Sequence, residues 1–283
     1  KNVIPDVAVV GIPFDLGTSN RPGTRHGPAA LRESSTFYAD DWHSELKVNP
    51  METLKIVDLG DLDLKLGYLE ESLMMIQGQL SSIKAKQIVA LGGDHTCTLP
   101  ILRVLHEKYN EPISIVHFDA HVDTWKENGR IDHGTPFHYA AQEGLIDPHH
   151  SMQIGIRSPV HPDTMDYTKD LGFHVISAEN VHMSTPAVLA QGIKNVTKEK
   201  KVYLTFDIDC IDPSQAPGTG TPEIGGLFTW QALAILNRLE EVDFIGMDLV
   251  EVAPAYDHAQ ITAQAGACFL WTYLCLLAKK KNK

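Results

Sequence analysis

With 283 residues, 43% hydrophobic content and a formal net charge of −12, the chain has the composition of a globular protein with a large core. It is too acidic for a general binder of nucleic acid or of an anionic membrane, and its charge is compatible with a cationic substrate. Its four cysteines, Cys97, Cys210, Cys268 and Cys275, make no CxxC pair and no zinc-finger spacing, so reduced thiols in a cytoplasmic protein are expected.

In chain order, VAVVG at 7–11 is a short β-branched run that predicts a buried parallel strand. A long Gly/Pro-rich loop follows, and a helix opens near Pro28, where proline suits the first turn. Strands are expected at 54–60, 87–95, 113–118, 151–156, 173–176, 202–207 and 244–248. Helical patterns fall at 68–84, 98–109, 184–198 and 229–240, and 40–53 reads as a polar excursion. The Leu- and Ala-rich stretch 261–278 is interrupted by Thr262, Gln264, Gly266 and Thr272, which predicts a buried terminal helix rather than a membrane span. No secretory signal is read at the start, and an opening at Lys1 without Met leaves open what precedes it.

Eight short apolar strands alternating with helices specify an α/β fold with a parallel sheet covered on both faces. A closed barrel and an open doubly wound sheet both fit that count, and both put functional loops at the carboxyl ends of the strands. No low-complexity linker or internal repeat divides the sequence, so one domain spanning 1–283 is expected.

The polar residues at those strand ends form a pattern. SIVHFDAHVD ends in Asp119, His121 and Asp123 at alternate positions, which in extended backbone share one side. FDID places Asp207 and Asp209 in the same relation, and His95 lies just past another strand. Four carboxylates in one crevice repel and raise one another's pKa unless cations neutralise them. Two divalent ions would do so, and this oxygen-rich set with two imidazoles and no thiolate suits Mn²⁺ better than a structural Zn²⁺. Such a pair can hold a bridging water as hydroxide at neutral pH. His133, in a Gly-containing loop ten residues after Asp123, is a candidate proton shuttle, and Glu251, after the last strand, a candidate grip for a cationic substrate. No GxSxG, HExxH or GxxxxGK motif supports another mechanism.

GGDHT at 92–96, FDAHVD at 118–123, FDIDCIDP at 206–213, GTGTPEIGG at 218–226 and GMDLVEVAPAYD at 246–257 resemble the ureohydrolases, the arginase/agmatinase family, as does GIPFDLGTSNRPGTRHGPAALR at 11–32. The resemblance runs over nearly the whole chain. It implies an open three-layer αβα fold with an eight-stranded parallel sheet, two Mn²⁺ (Ni²⁺ being the alternative) and hydrolysis of a small cationic guanidino substrate. It assigns His95, Asp119, Asp123 and Asp207 to one metal and Asp119, His121, Asp207 and Asp209 to the other, with Asp119 and Asp207 bridging. His133 matches the family's proton-relay histidine and Glu251 the acid that holds the guanidinium.

The agmatinase branch is closest in DHGT at 132–135, EGLIDPHHSMQIGIR at 143–157 and VEVAPAYD at 250–257, and Trp125 stands where arginases carry an Asn of the loop that reads an α-amino acid. Agmatine, giving urea and putrescine, is therefore the expected substrate, with guanidinobutyrate, a related guanidino acid or guanidine as alternatives. Lys126 and Arg130 against Glu127 and Asp132 leave the sign of the pocket mouth open. A catalytically silent subunit would have lost ligands, and none is missing here. A single-zinc deacetylase would carry fewer Asp ligands. A homo-oligomer, trimer or hexamer, is the assembly the family implies.

Overall fold

The computed structural model describes residues 4–38, 41–126 and 129–282. Eight strands form one sheet: β1 (Val7–Gly11), β2 (Ile56–Asp61), β3 (Gln87–Leu91), β4 (Ser114–Phe118), β5 (Met152–Ile156), β6 (His174–Ser177), β7 (Val202–Asp207) and β8 (Phe244–Val250). Their order is β2-β1-β3-β8-β7-β4-β5-β6, and every pairing is parallel. The sheet is open, with β2 and β6 at its edges.

Strand pleating divides the core into two. On β7, Val202, Leu204 and Phe206 join one apolar layer and Tyr203 the other. The first layer is covered by the helices Gly27–Ser35, Pro186–Val196, Thr229–Leu236 and Ile261–Lys281, the second by Leu69–Ser82, Thr98–Tyr109 and Pro136–Gln142. Helices on both faces are what an all-parallel sheet requires, since each crossover must return along the sheet. The terminal helix is long and apolar enough to cross a membrane by length and composition, but most of it is buried against the sheet.

Local differences from expectation have local causes. The helix expected at 184–198 is Pro186–Val196, which Thr185 caps through the Val188 N–H and Pro186 opens, and a short helix that the pattern did not show, Ala178–Met183, precedes it. The excursion at 40–53, in its described part, ends in the short helix Pro50–Thr53 and leads into β2. The strand expected at 87–95 stops at Leu91, where the two glycines turn the chain. A Cβ on Gly93 would sit 1.8 Å from the Phe14 carbonyl oxygen, so only glycine allows the 12–17 loop to lie this close to the end of β3.

Under the central strands Phe206 stacks between Phe118 at 5.1 Å and Phe269 at 4.5 Å between ring centroids. Phe206→Ala should cost about 3–5 kcal/mol, read as a lowered urea midpoint at unchanged m-value.

Candidate metal centre and substrate pocket

Four adjacent strands, β3, β8, β7 and β4, deliver the candidate residues at their carboxyl ends. His95 opens a turn after β3, Glu251 follows β8, Asp207 closes β7 with Asp209 two residues on, and Asp119, His121 and Asp123 follow β4. All are buried except His121, whose side chain is 16% exposed.

They fall into two groups. His95 Nδ1 lies 2.9 Å from Asp123 Oδ2, 3.1 Å from Asp119 Oδ2 and 3.3 Å from Asp207 Oδ2. It nevertheless has hydrogen-bond geometry with none of them. His121 Nδ1 lies 3.1 Å from Asp209 Oδ2 and 3.3 Å from Asp119 Oδ1. Donor atoms held at 2.0–2.2 Å from one ion and near right angles to each other sit about 3 Å apart, so both groups have the spacing of a cation shell. Asp119 belongs to both, one oxygen in each. Asp207 sends Oδ2 to the His95 group and commits Oδ1 to the Asp209 N–H at 2.8 Å.

The electrostatics ask for positive charge. Burial works to lower His95, but the carboxylates of Asp119, Asp123 and Asp207 overcome it and raise the imidazole well above its ordinary value. His121 is raised in the same way, against burial, by Asp209 and Asp119. Burial and then the charges of Asp209 and Asp119 push Asp207 well above the carboxylate range, and burial with Asp119 raises Asp123.

The convergence of 119, 121 and 123 does not come from pleating. The strand ends at Phe118, and Asp123 has φ +50°, a left-handed backbone that turns its carboxylate back toward His95. Glu251 is held in the same region at φ +63°, with its N–H donating to the Gly93 carbonyl at 2.8 Å. Non-glycine residues in this conformation mark backbone that the surrounding structure constrains.

Glu251 Oε1 accepts from the His95 N–H at 2.9 Å and faces His133 Nδ1 at 2.9 Å. Its Oε2 is buried without a hydrogen-bond partner among the described residues. His133 Nε2 lies 2.6 Å from Ser19 Oγ, so the ring is pinned at both nitrogens. Burial opposes its protonation, but the Glu251 carboxylate, with Asp94 and Asp123, raises His133 to about 9. Asp94, raised to about 7 by burial and the Glu251 charge, accepts from the Gly17 and Thr96 N–H groups and fastens the loop that carries Ser19.

Glu251, His133 and Ser19 line a cavity of about 290 Å³ together with Trp125, Asp132, Thr221 and Glu223. No Lys or Arg is among its described lining residues. Lys126 Nζ lies 3.4 Å from the centre of the Tyr167 ring, and exposed Arg130 pairs with Asp132 at 3.2 Å. Glu127 lies outside the described residues. Trp125 packs beside Gly134, its N–H donating to the Gly134 carbonyl.

Sequence reasoning passed over several residues of this site. Thr205 Oγ1 lies 2.8 Å from His95 Nε2, so Nδ1 is the ring nitrogen that faces the carboxylate group. Thr221 donates to Asp209, and Glu223 lies 3.7 Å from His121 Nε2. Ser19 has no local signal, since 114 residues separate it from His133. His117, 2.6 Å from Asp119 Oδ2, had one: it is the rung before Asp119 in the same period of two.

The profile of the Arginase family matches residues 5–275. An agmatinase from Photorhabdus laumondii is 47% identical over 280 residues, covering 97% of this chain and 88% of that protein. Among solved structures, a hypothetical agmatinase from Burkholderia thailandensis superposes with a TM-score of 0.93 at 41% identity, over 98% of this chain and 87% of that one. Proclavaminate amidino hydrolase from Streptomyces clavuligerus gives a TM-score of 0.93 at 35% identity, over 98% and 93%.

Because its folded pKa of about 9 lies above the unfolded value near 6.5, His133 adds stability that is full below pH 6.5 and lost as pH rises through 9. In metal-free protein the stability difference between wild type and His133→Asn should therefore shrink between pH 6 and pH 10. Urea titrations across that range measure it, and a gap that widens with pH contradicts the assignment.

Proposed function

The chain belongs to the arginase family, and on that premise we propose that it hydrolyses the guanidino group of agmatine to urea and putrescine. The observation that carries this reading is Glu251 Oε2, a buried carboxylate oxygen without a partner among the described residues, on a side chain that lines the cavity beside the metal-type cluster. A guanidinium presents planar N–H donors that such an oxygen can accept. Asp132 and Glu223 add carboxylates to a lining without described Lys or Arg, which favours a tail ending in an ammonium over one ending in a carboxylate.

His95, Asp119, Asp123 and Asp207 would hold one divalent cation and Asp119, His121, Asp207 and Asp209 the other, with Mn²⁺ proposed and Ni²⁺ the alternative. When bound, such a pair supplies Lewis acidity and brings the pKa of water toward neutrality. Glu251 holds the guanidinium with its carbon toward the cluster. Water oxygen joins that carbon, the bond to the alkyl nitrogen breaks, and the departing amine takes up the two protons that water gives up, one of them by way of His133, which is reprotonated in turn. His133 is the donor: raised by Glu251, it is protonated at neutral pH, and it sits 2.9 Å from the carboxylate that binds the substrate. Glu251 Oε1 holds His133 Nδ1 while Oε2 is left for the guanidinium, so one carboxylate sets the proton donor beside the substrate.

The same reading makes the chain one catalytic unit and a cytoplasmic homo-oligomer, trimer or hexamer. Free thiols at all four cysteines are consistent with a reducing compartment, and light scattering tests the assembly.

A urea-release panel of agmatine, guanidinobutyrate, guanidinopropionate, guanidine and arginine, with Mn²⁺ and with Ni²⁺, should show agmatine turned over fastest. Faster release from guanidinobutyrate or guanidine would assign the chain to another branch. Glu251→Gln should lower kcat/KM for agmatine about 10²–10³-fold while leaving metal content unchanged.

A further inference from the structure

His117 lies on β4 with its ring fully buried. It stands beside His95, Asp119 and Asp123 as a possible fourth member of a metal group. Its hydrogen bonds give it another role. His117 and Gln153 are register partners on β4 and β5. The Gln153 amide nitrogen donates to the Val122 carbonyl at 2.7 Å and lies 3.2 Å from His117 Nδ1. A carbonyl can only accept, so the amide cannot be flipped without opposing two oxygens. His117 Nδ1 is therefore an acceptor, its proton sits on Nε2, and Nε2–H donates to Asp119 Oδ2 at 2.6 Å.

That separation also decides against ligation. Atoms sharing an ion at 2.0–2.2 Å sit about 3 Å apart, as the His95 and His121 contacts do, whereas 2.6 Å is a direct hydrogen bond. Asp119 is the carboxylate with one oxygen in each group, and a carboxylate's terminal torsion is intrinsically soft. Two donors fix its plane: the His121 N–H on Oδ1 at 2.6 Å and His117 on Oδ2. Phe137, with its ring centroid 4.5 Å from that of His117, backs the imidazole.

We propose that His117, kept in its Nε2–H tautomer by Gln153, is a positioning residue that orients Asp119 so that each carboxylate oxygen serves one half of the cluster. This rests on reading the cluster as a two-cation site. The test is Mn²⁺ binding to the full chain by equilibrium dialysis, with low-temperature EPR reporting whether the two ions are spin-coupled. His117→Phe should weaken Mn²⁺ binding about 10- to 100-fold and abolish the coupled signal at concentrations that saturate wild type. His117→Gln, which keeps an N–H donor, should recover part of both. Gln153→Leu, which leaves the imidazole but frees its tautomer, should weaken binding less than His117→Phe, and it carries the test if the phenylalanine variant does not fold. Two Mn²⁺ bound and coupled as in wild type, in His117→Phe or in a folded Gln153→Leu when the former does not fold, would overturn the positioning role alone. Wild type that binds no cation pair would overturn both this role and the metal reading beneath it.

Discussion

Asp94, Asp119, Asp123, Asp207, Asp209 and Glu251 are all buried at the ends of adjacent strands, and their mutual repulsion is the constraint that shapes the rest of the site. Isolated buried carboxylates are costly, and in company each raises the cost of ionising the next. The chain answers with fixed donors where it can. Backbone N–H groups of Gly17, Thr96, Ala120, His121 and Asp209 bond these carboxylates, and so does the N–H of His95. His95, His121 and His133 take up part of the remaining charge, which is why all three are raised against burial.

The fold makes this concentration of acid tolerable because the cost is met by the layers around it. Central parallel strands are covered on both faces, so the apolar residues of β4, β7 and β8 anchor the backbone while the carboxylates of the cluster sit at or just past the strand ends. Behind His95 the order continues inward. Thr205 lies against its Nε2, and the buried Asp248 accepts from Thr98 and Tyr203 across three neighbouring elements. Burial raises Asp248 as well, against the opposing pull of His95 and of these hydrogen bonds. Such outer partners set tautomer and direction for the groups that face the cluster.

The pocket separates two uses of carboxylate. Those near His95 and His121 face one another and suit metal ions, while Glu251, which lines the cavity, keeps one oxygen without a partner among the described residues. Lys126 is drawn onto the Tyr167 ring and Arg130 lies out on the exposed side of Asp132, so the bases that the sequence places at the mouth leave the described lining to the acids.

Much of this was legible in the order of residues. Short apolar runs located all eight strands, because buried parallel strands need continuous apolar sequence, and those of β3, β4 and β7 lead into the Asp and His residues of the site. The grouping of His95 with residues 119–123 and 207–209 followed from those ends lying on one side of a parallel sheet. Periodicity could not decide between barrel and open sheet, since closure depends on edge pairing. Nor could it show that β8 lies between β3 and β7 and brings Glu251 against His133. It also supplied the wrong reason for the 119–123 convergence, where a left-handed Asp123 rather than a pleat does the aiming. Ser19 against His133, Gln153 against His117 and Thr205 against His95 are contacts between segments far apart in the chain. Composition and spacing along the chain determine which elements form, but which side chains meet across them is decided only when the sheet has assembled.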